Sequence, residues 1–378
     1  MNSHSENASL GNSTEFASPS ARENEGENIW SKTVTKYWLQ SLARELLPRD
    51  SRIGVCMHCL SPMSQSVDVL KHPEGKRAYY SGLMVCGMVW VCSVCAARIT
   101  EERRQELTHA LGVSGFTPYL ITYTLRHKRK DSLKELTNST LIAFRAMKSG
   151  KAWQYLKDDY GWVGSIKSLE VTHGEHGWHP HQHELVLLDE PLSKSAQNGL
   201  LTSLRLKWDG ALRKRGFDAS WDHGVDLRGT SQDVQDYVAK WGHQPIETGW
   251  GLEHELTKQP VKKAKMGGRS PSQMLADYGN GDLGSAHLWR EYALAFKGKK
   301  QLVWSKGLRG LLGMGMELPD DEIARSIPQG TEILARLSPV EWKAIRNADL
   351  RGELLDAAGS MDADNFRRWL SEKLEKWL

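Results

Sequence analysis

The sequence predicts an α+β fold. Three features of the 378-residue chain carry that reading: two C-x-x-C pairs bracketing a strand-rich segment, a histidine-bearing β-hairpin in mid-chain, and helical patterns before, between and after them. The length leaves room for two or three units with cores of their own. Residues 1–30 read as a disordered leader and 31–111 as an amphipathic helix followed by a zinc-ribbon module. Residues 112–315 form the main α+β domain with basic loops, and 316–378 a helical C-terminal tail of mixed charge.

Composition narrows the classes. Hydrophobic residues at 39% and charged residues at 25% exclude a collagenous or wholly disordered chain. No apolar run approaches 18 residues, and the mean hydropathy is −0.52, so no membrane span is expected. The Ser-, Asn- and Glu-rich start has no apolar core for a secretory signal, which points to the cytoplasm.

Lys+Arg 50 against Asp+Glu 46 gives a net charge of only +4, but the charges are segregated. Lys258, Lys262, Lys263, Lys265 and Arg269 form one acid-free segment, and Lys297, Lys299, Lys300, Lys306 and Arg309 a second. Acids gather at Glu317, Asp320, Asp321 and Glu322. Two solvated loops are the plain reading; a basic groove on a nearly neutral protein is the functional one. Fifteen Trp suit base stacking and core packing alike.

All five cysteines fall within one 40-residue window, from Cys56 to Cys95. Cys56/Cys59 (CMHC) and Cys92/Cys95 (CSVC) make two knuckles, each able to aim two thiolates at one ion and together to close a tetrahedral Zn²⁺ shell. The competing reading is free or redox-active thiols. His58 lies inside the first knuckle and could replace a cysteine, and Cys86 reads as a buried thiol on an apolar strand. A closed four-thiolate shell has no open position, so this module folds or binds, and catalysis lies elsewhere. The helix TKYWLQSLARELL precedes the module and a polar helix, Ala96 to Leu111, follows it.

Five of the 14 histidines stand in residues 173–183. In HPHQHELVLL the pattern reads as a strand, so His181 and His183, two apart, point the same way. His179, before Pro180, stands near the strand start. Two imidazoles on one rigid face make a bidentate metal site. The preceding strand, Ser165 to Thr172, joins through a turn at Gly174 and Gly177 and carries Glu170 as a third, oxygen ligand, with Glu175 in the turn as its competitor. The plain alternative is a surface histidine cluster with no ion.

Downstream, SQDVQDYVAKW (Ser231 to Trp241) has a helix signature: Ser231 as N-cap and Asp233 and Asp236 in the early turns. Val234, Tyr237, Val238 and Trp241 share one face, as a core stripe would, and an Asp236–Lys240 pair would account for the lysine.

Taken in order, these residues resemble the plasmid rolling-circle replication initiators (the Rep family) of the HUH endonuclease superfamily. YLITYTL (Tyr119 to Leu125) is similar to the family's first motif, GWHPHQHELVLL to its metal strand, and YVAKW to its Y-x-x-K-Y helix. The four-cysteine ribbon and EYALAFKGKKQLVWSKGLRGLLG are family-like too, and the resemblance spans roughly residues 50–315. One departure stands out: the second tyrosine of Y-x-x-K-Y is Trp241 here.

The resemblance implies an HUH endonuclease domain with a central antiparallel sheet flanked by helices, the histidines on a middle strand and the tyrosine helix packed across from them. It implies that Tyr237 attacks a DNA phosphodiester and keeps the 5′ phosphate, that Lys240 assists, and that His181, His183 and Glu170 hold Mn²⁺ or Mg²⁺. Lys262, Lys263, Lys265, Lys299 and Lys300 are then the DNA contacts. Single-stranded or supercoiled origin DNA is the expected partner. No G-x-x-x-x-G-K-[ST] occurs, so a host helicase and DNA polymerase are expected as well. Three rivals share part of this pattern: a rolling-circle transposase, a zinc-ribbon DNA-binding regulator without catalysis, and a metallohydrolase that uses bound water.

Overall fold

A computed structural model describes residues 31–72, 77–229, 234, 238 and 268–376. The leader 1–30 lies outside the described residues. Helix α1 (Lys32–Leu46) starts at Ser31, whose hydroxyl accepts from the Val34 N–H at 3.1 Å, and buries Tyr37, Trp38, Leu39, Leu42 and Leu46. The chain then passes the first cysteine pair, forms the short strands β1 (Val67–Lys71) and β2 (Ala78–Ser81), and enters helix α2 (Ser93–Val113) directly after Cys92.

The main sheet is antiparallel throughout. Its strands are β3 (Thr117–Thr124), β4 (Trp162–Gly174), β5 (Gly177–Leu188), β6 (Val225–Arg228) and β7 (Leu302–Trp304), in the order β6-β3-β5-β4-β7. The histidine strand β5 is therefore the middle one. Gly174 pairs with Gly177 across the β4–β5 turn, and Gly177 takes a φ of 89°. A Cβ there would come within 2.9 Å of the Arg129 backbone, so glycine is needed both for the turn and for that close approach.

Alternation along β5 divides the sheet into two faces. Trp178, Gln182, Glu184, Val186 and Leu188 look to one side, where α3 (Leu133–Met147), α4 (Lys151–Asp159) and α5 (Lys194–Arg213) contribute Phe144, Trp153 and Trp208 to the large core. Helices α6 (Pro271–Gly279) and α7 (Leu283–Phe296) extend the same core to α1. His179, His181, His183, Leu185 and Leu187 look to the other side. There a second core joins Leu185, Leu187, Leu120 and Ile166 to Leu107 and Ala110 of α2, to Val234 and Val238, and to Leu308 of the short helix α8 (Leu308–Leu311). Each such fully buried Leu or Val contributes about 1.5–3 kcal/mol.

Residues 316–378, expected as a helical tail, hold more than helices. After α9 (Asp320–Arg325), strand β8 (Glu332–Leu337) pairs antiparallel with β1, giving a three-stranded sheet β2-β1-β8 in the cysteine module. Helices α10 (Pro339–Asn347), α11 (Arg351–Ser360) and α12 (Ala363–Glu375) follow. Arg351 of α11 is fully buried and donates to Gln40 Oε1 and Ser41 Oγ of α1, each at 2.8 Å. The C-terminal segment is thus packed into the N-terminal module.

Candidate functional site

The β4–β5 register sets Glu170 opposite His181, and the β3–β5 register sets Thr122 opposite His183 and Thr124 opposite His181. Three adjacent strands therefore present these side chains on one face. His183 is held from two sides: Nδ1 is hydrogen-bonded to Thr122 Oγ1 at 3.0 Å, and Nε2 lies 3.0 Å from Glu170 Oε2. Ligand atoms 3.0 Å apart fit adjacent corners of an octahedron with bonds of about 2.1 Å, since that geometry spaces neighbours by about 3 Å. The Thr122 contact is of the kind that fixes the ring of a metal-binding histidine.

His181 does not close the set. Its ring stacks on His179 at 4.3 Å between centroids and stands 5.9 Å from that of His183. Among the described residues, the groups of three or more metal-ligating side chains with all ligand atoms within 4.8 Å include only a cysteine cluster. Burial, then the neighbouring His179, pushes the His181 pKa down to about 4, so at neutral pH the imidazole is uncharged and its nitrogen is available to a cation. His127 extends the row, its ring 4.8 Å from His179. Glu175 is exposed in the turn.

Thr122 and His127 escaped the sequence reading as site residues, although Thr122 stands inside the YLITYTL strand. Tyr237 and Lys240 lie outside the described residues, as do Lys262, Lys263 and Lys265. Their flanking positions Val234 and Val238 are helical and buried in the core on the histidine face of the sheet. Lys299 and Lys300 line a cavity on the opposite face; Lys299 Nζ reaches Asn138 Oδ1 at 3.4 Å and Lys300 pairs with Glu317 at 3.4 Å.

The cysteine site differs from the expected one. Cys56, Cys86, Cys92 and Cys95 are buried with their sulfurs together, whereas Cys59 is exposed and outside the cluster. The reason is a short ladder: Met57 N–H donates to Met84 O and Met84 N–H to Cys59 O, each at 2.9 Å, with Leu60 bridged to Leu83. Met57 takes a φ of 51°, which turns the knuckle so that Cys59 faces out; Cys86 is buried as expected but stands in the irregular segment after β2, not on a strand, and that segment delivers it to the cluster. Sulfur separations of 3.7 Å (Cys56–Cys92), 3.5 Å (Cys56–Cys95) and 3.6 Å (Cys86–Cys95) approach the ~3.8 Å edge of a tetrahedron with 2.3 Å Zn–S bonds. Four buried cysteines in this arrangement could hold a metal ion such as zinc. Gln40 Nε2 donates to Cys92 Sγ at 3.1 Å, a contact that steadies a thiolate. Hydrogen bonds with Cys86, Cys92 and Cys95, together with burial, hold the Cys56 thiol far above its ordinary value in the absence of a cation. His58 is turned away and contacts Arg44 Nη1 at 2.7 Å.

Among the described residues, no helix is long and apolar enough to cross a membrane. No family model matches the chain, and no solved structure matches it. It is similar to the protein named "Protein rep" of Streptomyces lividans, 28% identical over 369 aligned positions that cover 79% of this chain and 80% of that protein. A shorter stretch is similar to a "Neomycin resistance protein" of Streptomyces cyanogenus, 32% identical over 136 positions, covering 28% of this chain and 31% of that protein.

Proposed function

We propose that the chain is a rolling-circle replication initiator of the HUH type, which nicks and rejoins single-stranded origin DNA through a covalent 5′-phosphotyrosine. The similarity to "Protein rep" supports a role in replication. The observation that supports the chemistry is the shared face of β4, β5 and β3, where His183 meets Glu170, His181 stands on the same face beside them, and Val234 and Val238 pack against Leu185 and Leu187.

In this reading His183, Glu170 and His181 would hold Mn²⁺ or Mg²⁺. When bound, the ion draws charge from the scissile phosphate. Tyr237 gives up its phenolic proton and its oxygen bonds to phosphorus as the P–O3′ bond breaks. The departing 3′ oxygen takes a proton and is left as the primer hydroxyl. Lys240, three residues after Tyr237 in the sequence, is assigned to favour the phenolate and the phosphate by its charge. Rejoining runs the same exchange backwards, with the 3′ hydroxyl displacing the tyrosine.

Lys262, Lys263, Lys265, Lys299 and Lys300 are assigned to DNA phosphates. The chain carries no P-loop, so a host helicase and polymerase complete replication. Cys56, Cys86, Cys92 and Cys95 hold a structural zinc.

Two other tyrosines of the downstream stretch are already engaged. Tyr278 donates to Glu45, and Tyr292 is buried and donates to Trp90 O at 2.9 Å. The test is incubation with single-stranded origin DNA and Mn²⁺, followed by a denaturing gel. Wild type should give the 3′-side fragment joined to protein through its 5′ phosphate and a 5′-side fragment with a free 3′ hydroxyl, and Tyr237→Phe should give neither. An adduct mapped to another tyrosine would overturn the nucleophile, and cleavage with no adduct would favour a water-using metallohydrolase.

A further inference from the structure

On the face of the sheet opposite the histidines there is a cavity of about 600 Å³. Its floor is Lys167 of β4, which pairs across the ladders with Glu184 of β5 and Val303 of β7; since Glu184 follows His183, these side chains look away from the histidine face. Helix α3 forms one wall and supplies Arg145, and the loop after α7 supplies Lys297, Lys299 and Lys300. Among the described residues, five cations line the cavity and no carboxylate does.

The nearest carboxylate below the floor, Glu184, is already shared. It takes Lys148 Nζ and the Tyr123 hydroxyl, the latter at 3.2 Å. Among the described residues, no ion pair within 4.0 Å joins Arg145, Lys167 or Lys297 to an acid, so the lining carries excess positive charge. Loss of solvation, with Arg145 adding to it, lowers the pKa of both Lys167 and Lys299 below the ordinary lysine value. For Lys167 this lowering persists although Glu184, directly across the ladder, opposes it.

The loop is fixed rather than merely adjacent. Trp90 Nε1 donates to Lys299 O at 2.6 Å, and the Trp90 ring packs edge-on to Phe296 at 4.7 Å. Leu141, Ile142 and Phe144 add an apolar wall beside the cations. A volume in the range of small-molecule sites, one apolar wall and a lining with excess positive charge, in which Lys300 alone of the five cations is ion-paired among the described residues, match one ligand chemistry: an aromatic base carrying phosphate.

We propose that this cavity binds a nucleotide by its phosphates, supplied either by a free nucleoside triphosphate or by the phosphorylated end of a DNA strand. The site stands apart from the nicking chemistry, because the sheet separates it from Glu170, His181 and His183.

The test is calorimetric titration of the full chain at fixed ionic strength with dATP, with inorganic triphosphate, and with a short 5′-phosphorylated oligonucleotide. Either dATP or the oligonucleotide should bind, and which of them binds identifies the source. Arg145→Ala and Lys297→Ala, both at exposed positions and so expected to melt as wild type, should each weaken that binding by roughly tenfold, the loss of one charge-assisted contact. Lys214→Ala, an exposed lysine off the cavity, should leave it unchanged. His183→Ala should bind the ligand as wild type does whether or not it nicks, which separates this site from the nicking reading. The proposal is overturned if neither ligand binds, if Lys214→Ala weakens binding as much as Arg145→Ala, or if inorganic triphosphate binds as tightly as dATP.

Discussion

Thr122 and His183 face each other across β3 and β5, with Thr122 Oγ1 3.0 Å from His183 Nδ1. That bond fixes the ring so that Nε2 points at Glu170, and it makes Thr122 a positioning residue for the proposed cation. Thr122→Val keeps the shape and the β-branching of the strand and removes the hydroxyl. The Mn²⁺ concentration giving half-maximal nicking should then rise roughly 10- to 100-fold with folding unaltered, and Thr122→Ser should restore it. An unchanged metal requirement in the valine variant would remove Thr122 from the site.

His181→Ala and His183→Ala should each abolish nicking and leave most DNA binding in place. Binding rests on phosphate contacts and should weaken steeply as salt rises, a dependence both variants should share with wild type. Glu170→Ala should raise the metal requirement, whereas Glu175→Ala, at an exposed turn position, should not. Nicking assays over a manganese series decide between the two carboxylates.

The cysteine cluster gives a sharper contrast. Cys86→Ser should strip zinc from the purified protein and lower its stability, because a broken tetrahedral shell loses folding energy. Cys59→Ser should keep one zinc per chain, its sulfur being exposed and outside the cluster. Elemental analysis alongside thermal melting reads both. Zinc lost from the Cys59 variant and kept in the Cys86 variant would restore the two-knuckle arrangement.

Lys148 and Glu184 form a buried ion pair, with Glu184 1% and Lys148 13% exposed, under the rings of Phe144, Trp153 and Trp162. Lys148→Met leaves the Glu184 carboxylate buried with the Tyr123 hydroxyl and should cost about 3–5 kcal/mol in urea unfolding. Lys148→Met with Glu184→Leu removes both charges and should recover most of that loss. A double variant no more stable than the single one would show that the pair contributes more than mutual neutralisation.

The hairpin was legible because its signals are local. Gly174 and Gly177 stand at the turn itself, and the alternation of His181, Gln182, His183 and Glu184 states the two faces of β5 directly. The cysteine shell was not, although C-x-x-C is an equally regular spacing. The choice between Cys59 and Cys86 is made by the ladder of residues 57–60 with 83–84, which no spacing encodes. Lys299 and Lys300 were readable as basic; the face they serve depends on the register of β4 with β7. Arg351, the buried link between α11 and α1, reads in the sequence as an ordinary helical surface arginine.

The pairing of Val67 with Leu337 also sets an order of events during synthesis. A chain emerging from the ribosome can close the β4–β5 hairpin as soon as Leu188 is free, since both strands are then in hand. The outer edge of β1 stays open until Leu337 has followed, and the backbone groups along it have no sheet partner until then. The histidine hairpin can thus pair on the nascent chain before the sheet of the cysteine module is complete, though the module comes first in sequence. Stalling or release before residue 337 would leave β1 without its β8 partner and the sheet of the cysteine module unfinished.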